Sequence, residues 1–242
     1  TLYNLVKHFK NNNIGIVGAY IINPNNSTKG IAFHETSYMK HENMTKYYEG
    51  VYGKMIGSFG GCYAIRKSLF QTIPTSPMLM DDFYITMSVL NKNYEVIMEK
   101  EAICYEEVTS NVWVEFNRKK RIAQGTFPII LSNIKLWVPK NKLSLFFFSH
   151  KVIRYLTPFL IIFILLLSFT IFNVSLLAKF LITTIISVVV ISIIDISLIN
   201  YLPNNKWLRF ISHFFLMNIA MIIGVIKSLN RNTSSIWQPT KR

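Results

Sequence analysis

The stretch Pro77–Val96, PMLMDDFYITMSVLNKNYEV, sets two adjacent carboxylates, Asp81 and Asp82, in an otherwise apolar frame. Acids are scarce in this chain, with 12 Asp and Glu against 26 Lys and Arg, so a pair at one spot asks for a reason. The residues after the pair have the period of a helix. Phe83, Met87 and Leu90 recur at four and three, and Ile85 and Val89 at four. Asn91-Lys92-Asn93 ends the helix, and Tyr94, Val96 and Met98 alternate as a strand. An Asp at a helix start accepts the free N–H groups and suits the dipole. One Asp suffices for that duty.

The 242 residues divide by composition. Residues 1–150 read as globular, whereas residues 155–226 are nearly continuous hydrocarbon. The net charge of +14 is concentrated between Val112 and Arg154, where nine Lys and Arg face one acid, Glu115. A basic stretch directly before an apolar one marks the cytoplasmic face of a membrane and attraction to its anionic lipids. A nucleic-acid partner is not expected: the aromatics sit in apolar runs instead of interleaving with Arg. Cys62 and Cys104 stand 42 residues apart with no His or Cys at ligand spacing, and read as reduced, partly buried thiols.

Tyr155–Phe172 is 18 residues without a charge, enough to cross a bilayer, and Pro158 falls in its first turn. Leu176–Ile199 is a second span, with Lys179 and Asp195 near its ends, where both can snorkel. The two form a hairpin with both ends on the basic side. Along Lys206–Arg231, the residues Lys206, Arg209, His213, Ala220, Gly224, Lys227 and Arg231 share one stripe. Trp207, Phe210, Phe214, Met221 and Val225 take the other side. That pattern predicts a helix lying in the interface, although Phe210–Ile226 is also long enough to span.

In the globular half, Leu2, Val6 and Phe9 suggest an amphipathic first helix, Ile14–Ile22 a buried strand, and Tyr47–Ile56 a helical run. GSFGGCYAIRKSLF (Gly57–Phe70) follows, with Gly60 and Gly61 able to turn sharply or let backbone approach a ligand. After the acid pair and its strand come EAICYEEV (Glu101–Val108) and the amphipathic VEFNRKKRIAQG (Val114–Gly125). In the latter, Glu115 is spaced to pair with Arg118 and Lys119.

Taken in order, these pieces resemble the membrane-bound, processive-type members of glycosyltransferase family 2, the cellulose, chitin and hyaluronan synthases and their bacterial relatives. DDFYITMSVLNKNYEVIMEKEAICYEEV is similar to the family's [TE]-D-D/E motif, helix and strand. The resemblance makes Asp82 the catalytic base and Asp81 its acidic neighbour. GGCYAIRK, with Gly60, Gly61 and Cys62, resembles the segment lining the acceptor site. RKKRI resembles the Q/R-x-x-R-W motif through Arg118 and Arg121, with Ile122 where Trp is usual. WQPTKR resembles the W-x-x-T-x-R gating loop through Trp237, Thr240 and Arg242. The family's nucleotide-binding half, with its metal-binding D-x-D, has no counterpart, and Thr1 resembles what directly follows it.

The resemblance implies an α/β fold, a partial GT-A-type domain, followed by transmembrane helices and an interfacial helix. Residues 1–125 would be the C-terminal part of the catalytic domain and residues 126–242 the membrane region. The expected reaction is inverting transfer from a nucleotide sugar to a polysaccharide or lipid-linked acceptor at the cytoplasmic face of the cell membrane. A carboxylate takes the acceptor hydroxyl's proton, and guanidinium groups grip the departing diphosphate. A divalent metal, Mg or Mn, is expected in a full-length enzyme, with its main ligands outside this chain and no metal site within it; the fragment alone would be inactive. Arg118 and Arg121 would serve the diphosphate or the gate, with Lys119 and Lys120 toward lipid. The competing reading is a non-catalytic basic component that binds lipid or a partner enzyme.

Overall fold

The computed structural model describes residues 1–24, 30–74, 78–107, 111–198 and 205–230. A three-stranded sheet organises the first half, with β1 (Ile14–Ile22) between β2 (Tyr63–Ile65) and β3 (Glu95–Tyr105). Ile16, Val17, Ala19 and Ile21 are almost wholly buried, which is why β1 reads as an unbroken apolar run. β2 pairs antiparallel to β1, and β3 pairs parallel from Ile14 opposite Glu95 to Ile22 opposite Tyr105. A parallel pair needs a crossover. Here it carries α2 (Gly30–Val51), β2 and α3 (Asp81–Asn91). Asn93, at φ 64°, makes the left-handed turn from α3 into β3 that its side chain tolerates.

Before the sheet, α1 (Leu2–Val6) presents Leu5 to the interior, where Phe9 packs beside it. The expected stripe of Leu2 and Val6 is corrected: both are exposed. The helix lasts one turn before tightening at Lys7–Lys10, so a long-helix period does not apply. α2 is likewise longer than the run expected at Tyr47–Ile56, ending at Val51.

Beyond β3, α4 (Val112–Ser132) starts at Asn111, whose side chain accepts from the Trp113 and Val114 amides. α5 (Lys142–Phe147), a π-helical turn (Phe148–Val152) and α6 (Ile153–Thr170) then run as one rod. Pro158 therefore lies inside α6 and not in a first turn. α7 (Leu176–Ser197) and α8 (Lys206–Leu229) begin at side-chain caps from Ser175 and Asn205. Three helical stretches, Lys142–Thr170, Leu176–Ser197 and Lys206–Leu229, are long and apolar enough to cross a membrane. Phe163, Leu166, Phe169, Leu177 and Phe180 turn outward from α6 and α7, a surface suited to hydrocarbon.

One core joins the two halves. Ile16, Met55, Phe83, Ile85, Leu90 and Val96 from the sheet layer continue into Ala123 and Ile130 of α4, Phe147 and Val152 of the rod, and Val225 of α8. α8 lies against α4 so closely that a Cβ on Gly224 would collide with the Lys120 carbonyl oxygen and come 2.6 Å from the Ala123 Cβ. Arg209, Ala220 and Gly224 of the predicted stripe are buried, and Trp207, Phe210 and Phe214 are exposed. Val225, placed by periodicity on the outer face, is inside, and Met221 packs on the same core. Neighbours on more than one side of α8 widen its buried sector beyond a single stripe.

Two charge assignments are also corrected. Asp195 does not snorkel: it is 1% exposed and its Oδ1 accepts from Arg209 Nη1 at 2.8 Å, tying α7 to α8. Lys119 does not face lipid. Its ammonium lies 3.2 Å from Glu35 of α2 and 3.3 Å from Glu115, both buried, so it pins α4 to α2. The spacing-based pairing of Glu115 with Arg118 and Lys119 holds.

Candidate active site

Asp81 and Asp82 are the first two residues of α3. Met80 holds the N-cap position without a side-chain bond, and of the two acids Asp82 accepts a first-turn amide, that of Phe83, so helix capping accounts for only part of the pair. The Met80 amide donates to the Gly125 carbonyl at 3.0 Å. Only glycine fits there, since a Cβ would stand 2.9 Å from the Met80 nitrogen. This contact fixes the start of α3 against α4 one turn beyond Arg121.

A loop from Gly57 to Gly61 closes the other side. The Thr86 hydroxyl donates to the Asp82 carbonyl at 2.7 Å and accepts from the Ser58 amide at 3.1 Å. Gly57 holds φ +90°, a left-handed conformation that favours glycine. Gly60 then passes beneath the carboxylate, where a Cβ would lie 3.0 Å from Asp82 Oδ2. Nothing stands within 4 Å of the same position on Gly61. Gly60→Ala should therefore push the carboxylate aside and lower kcat by about ten- to a hundredfold, and Gly61→Ala should cost far less. Steady-state turnover of the two variants checks the contrast.

Asp82 is half-buried, and its Oδ1 accepts from the Phe83 amide at 2.7 Å. Burial pushes its carboxyl above the usual range. Lys46 pulls against that, Asp81 adds to it, and the Phe83 N–H and Lys151 pull against it again. A raised but opposed carboxyl suits proton acceptance near neutral pH. Burial, then Asp81 and Asp82, push the Tyr63 phenol up. Arg121 is drawn below its ordinary value by burial and by Arg118, against the pull of Asp81 and Asp82. The acid pair, Tyr63 and Arg121 are thus electrostatic neighbours contributed by α3, β2 and α4.

Arg118 stands elsewhere. It pairs with Glu115 at 3.4 Å and with Glu106 at 3.6 Å. Gly60, Gly61, Cys62 and Tyr63 line an open groove of about 420 Å³ together with Thr1, Leu2 and Leu5. The Cys62 thiol is pushed up by burial and by the adjacent Cys104 thiol. Both cysteines are free thiols, as expected, but their proximity was not legible from their spacing. Trp237, Thr240 and Arg242 lie outside the described residues.

Sequence reasoning missed Lys46, which sits under the loop with its ammonium 3.5 Å from the centre of the Phe59 ring. The signal was present. Glu35, Glu42, Lys46 and Glu49 recur at seven, four and three along α2, a polar stripe that the fold buries. Among the described residues no three His, Cys, Asp or Glu side chains converge as metal ligands. The donor set present does not fit a divalent-metal centre, and the chemistry below uses only the chain's own groups.

Among curated proteins, no sequence relative matches the chain. The family model described as "Glycosyl transferase family group 2" matches residues 1–223. The match takes in the acid pair, the glycine loop, the arginine helix and most of the membrane helices. With an α/β sheet feeding three long apolar helices and a carboxylate pair at its edge, the chain belongs to glycosyltransferase family group 2 and is a glycosyltransferase.

Proposed function

We propose that this enzyme transfers a sugar, with inversion, from a nucleotide-diphosphate donor to a hydroxyl of a glycan or lipid-linked acceptor at the cytoplasmic face of the cell membrane. The observation that carries this reading is the half-buried Asp82, held over Gly60 with Asp81, Tyr63 and Arg121 as its charged and polar neighbours. Asp82 takes the acceptor hydroxyl's proton as that oxygen attacks the anomeric carbon. The bond from that carbon to the diphosphate breaks, and the diphosphate leaves with the electron pair. Arg121 meets the developing negative charge in this reading, whereas Arg118 is held by Glu115 and Glu106 and acts only through Arg121. Asp81 favours the protonated product form of its neighbour by repulsion. The groove along Gly60, Gly61 and Cys62 is the acceptor path in this reading.

Residues 1–125 act here as the C-terminal part of a catalytic domain, and residues 126–242 as the membrane region that holds it against lipid. Full-length protein in membranes, given UDP- and GDP-activated hexoses in turn, should release nucleotide diphosphate from at least one of them. Release from none, in folded protein supplied with membrane lipids, contradicts the reading.

The tail residues Trp237, Thr240 and Arg242 can gate the site only from the cytoplasmic side. α8 supports that placement. Gly224 is taken up by α4 and Arg209 by α7, Lys206 and Lys227 are exposed, and the aromatics Trp207, Phe210 and Phe214 face outward as in a helix lying at an interface. α6 and α7 then form the only hairpin crossing among the described helices. Ser234→Cys, in a background lacking Cys62 and Cys104, should resist an impermeant thiol reagent on intact cells. Labelling from outside would overturn the interfacial helix and the gate together.

A further inference from the structure

Lys46 is 4% exposed, and a bare ammonium at that depth carries a large desolvation cost unless its surroundings hold the charge. Those surroundings are built. Glu42 Oε1 lies 3.8 Å from its Nζ, and the Phe59 ring receives it face-on at 3.5 Å. Glu42 is itself clamped. Its Oε1 meets His150 Nε2 at 3.0 Å, and its Oε2 accepts from Arg154 at 3.0 Å. Glu49 engages His150 Nδ1 at 2.8 Å and the Ile56 amide at 2.9 Å. α2 is thereby locked to the rod that enters the membrane, and Lys46 cannot swing away from its place. Phe59, which carries the ammonium, directly precedes the Gly60 that meets Asp82 Oδ2.

We propose that Lys46 is a positioning residue that keeps the Asp82 carboxylate ionised and seated, using a charge fixed by the α2–membrane clamp. The inference rests on Asp82 being the base. The groups facing Asp82 are Asp81 from α3, Tyr63 from β2, Arg121 from α4, Lys46 from α2 and Lys151 from the π-helical turn. Lys151 stands 5.1 Å from the Phe83 ring centre and pulls on Asp82 less than Lys46 does. After burial, Lys46 is the foremost influence on Asp82, and it opposes the rise that burial causes. For Lys46 itself, burial lowers the value, and Glu42, Asp82 and Glu49 work to keep the proton on. The charge is therefore shared between the clamp and the base. Ionising Asp82 is what the reaction needs, because only the carboxylate can take the acceptor's proton.

The sign follows directly. Removing the Lys46 charge raises the pKa of Asp82, so activity is lost at a higher pH as the medium is acidified. In full-length protein, the acidic limb of kcat/KM against pH should move up by about one unit or more in Lys46→Met, with the alkaline plateau largely recovered. Lys46→Arg should keep the wild-type limb. Glu42→Gln removes the carboxylate that does most to keep the proton on Lys46, so its limb should move up as well, by less than in Lys46→Met. This second variant carries the test should Lys46→Met fail to accumulate in membranes. A limb that stays in place, or a loss by the same factor at every pH, would reduce Lys46 to a packing role and overturn the proposal. Asp82→Asn measured in parallel separates the two failures: an active Asp82→Asn removes the base assignment itself, whatever Lys46 does.

Discussion

Asp82→Asn is expected to abolish sugar transfer, lowering kcat by about a hundred- to ten-thousandfold, while donor affinity stays nearly unchanged. The amide oxygen can still accept from the Phe83 N–H, and the side chain still clears Gly60, so the start of α3 keeps its geometry. What it loses is the capacity to take a proton at neutral pH. Asp81→Asn should do less. Asp81 is exposed and acts on the reaction through Asp82, Tyr63 and Arg121. Turnover together with donor affinity from equilibrium binding distinguishes loss of chemistry from loss of substrate. Near-wild-type turnover in Asp82→Asn would place the base elsewhere.

Arg209→Leu carries the largest expected effect on stability. It strands Asp195, 1% exposed, in a helix whose one other charge, Lys179, lies near the opposite end. Breaking a buried pair from one side costs about 3–5 kcal/mol, because the remaining charge has no compensation. For a chain of this size that corresponds to roughly 6–20 °C in melting temperature. The double variant Asp195→Leu/Arg209→Leu should recover most of the loss, since replacing both members of a buried pair by apolar residues is often neutral. Thermal melting in detergent of both single variants and the double reads the cycle. A double variant no better than the worse single would mean the pair acts through something other than its charges.

The elements that declared themselves in the sequence are those decided locally. β1 is apolar throughout because both of its faces are covered, and α3 shows its period because one turn after another meets the same core. The acid pair at the start of α3 was legible for the same reason, as were α6 and α7 by length alone. What stayed hidden depends on distant partners. α2 looks polar, and its Glu35, Glu42, Lys46 and Glu49 are buried only because Lys119, His150 and the glycine loop come to meet them. Hydrophobic periodicity cannot report a buried charge. Arg118 and Arg121 look equivalent on one helix, yet Glu106 takes the first and the acid pair faces the second. Asp195 looked like a helix-end charge until α8 folded back with Arg209.

The central claim is that one carboxylate, Asp82, activates the acceptor for a single direct displacement. The proposed mechanism requires no second carboxylate as a nucleophile and no covalent glycosyl-enzyme intermediate. A single displacement inverts the anomeric centre, whereas two successive displacements return it to its starting configuration. The most direct test is the anomeric configuration of the sugar newly linked by the full-length enzyme, read by proton NMR from the H1–H2 coupling. An α-linked nucleotide donor should give a β-linked product. An α-linked product from that donor would contradict the account.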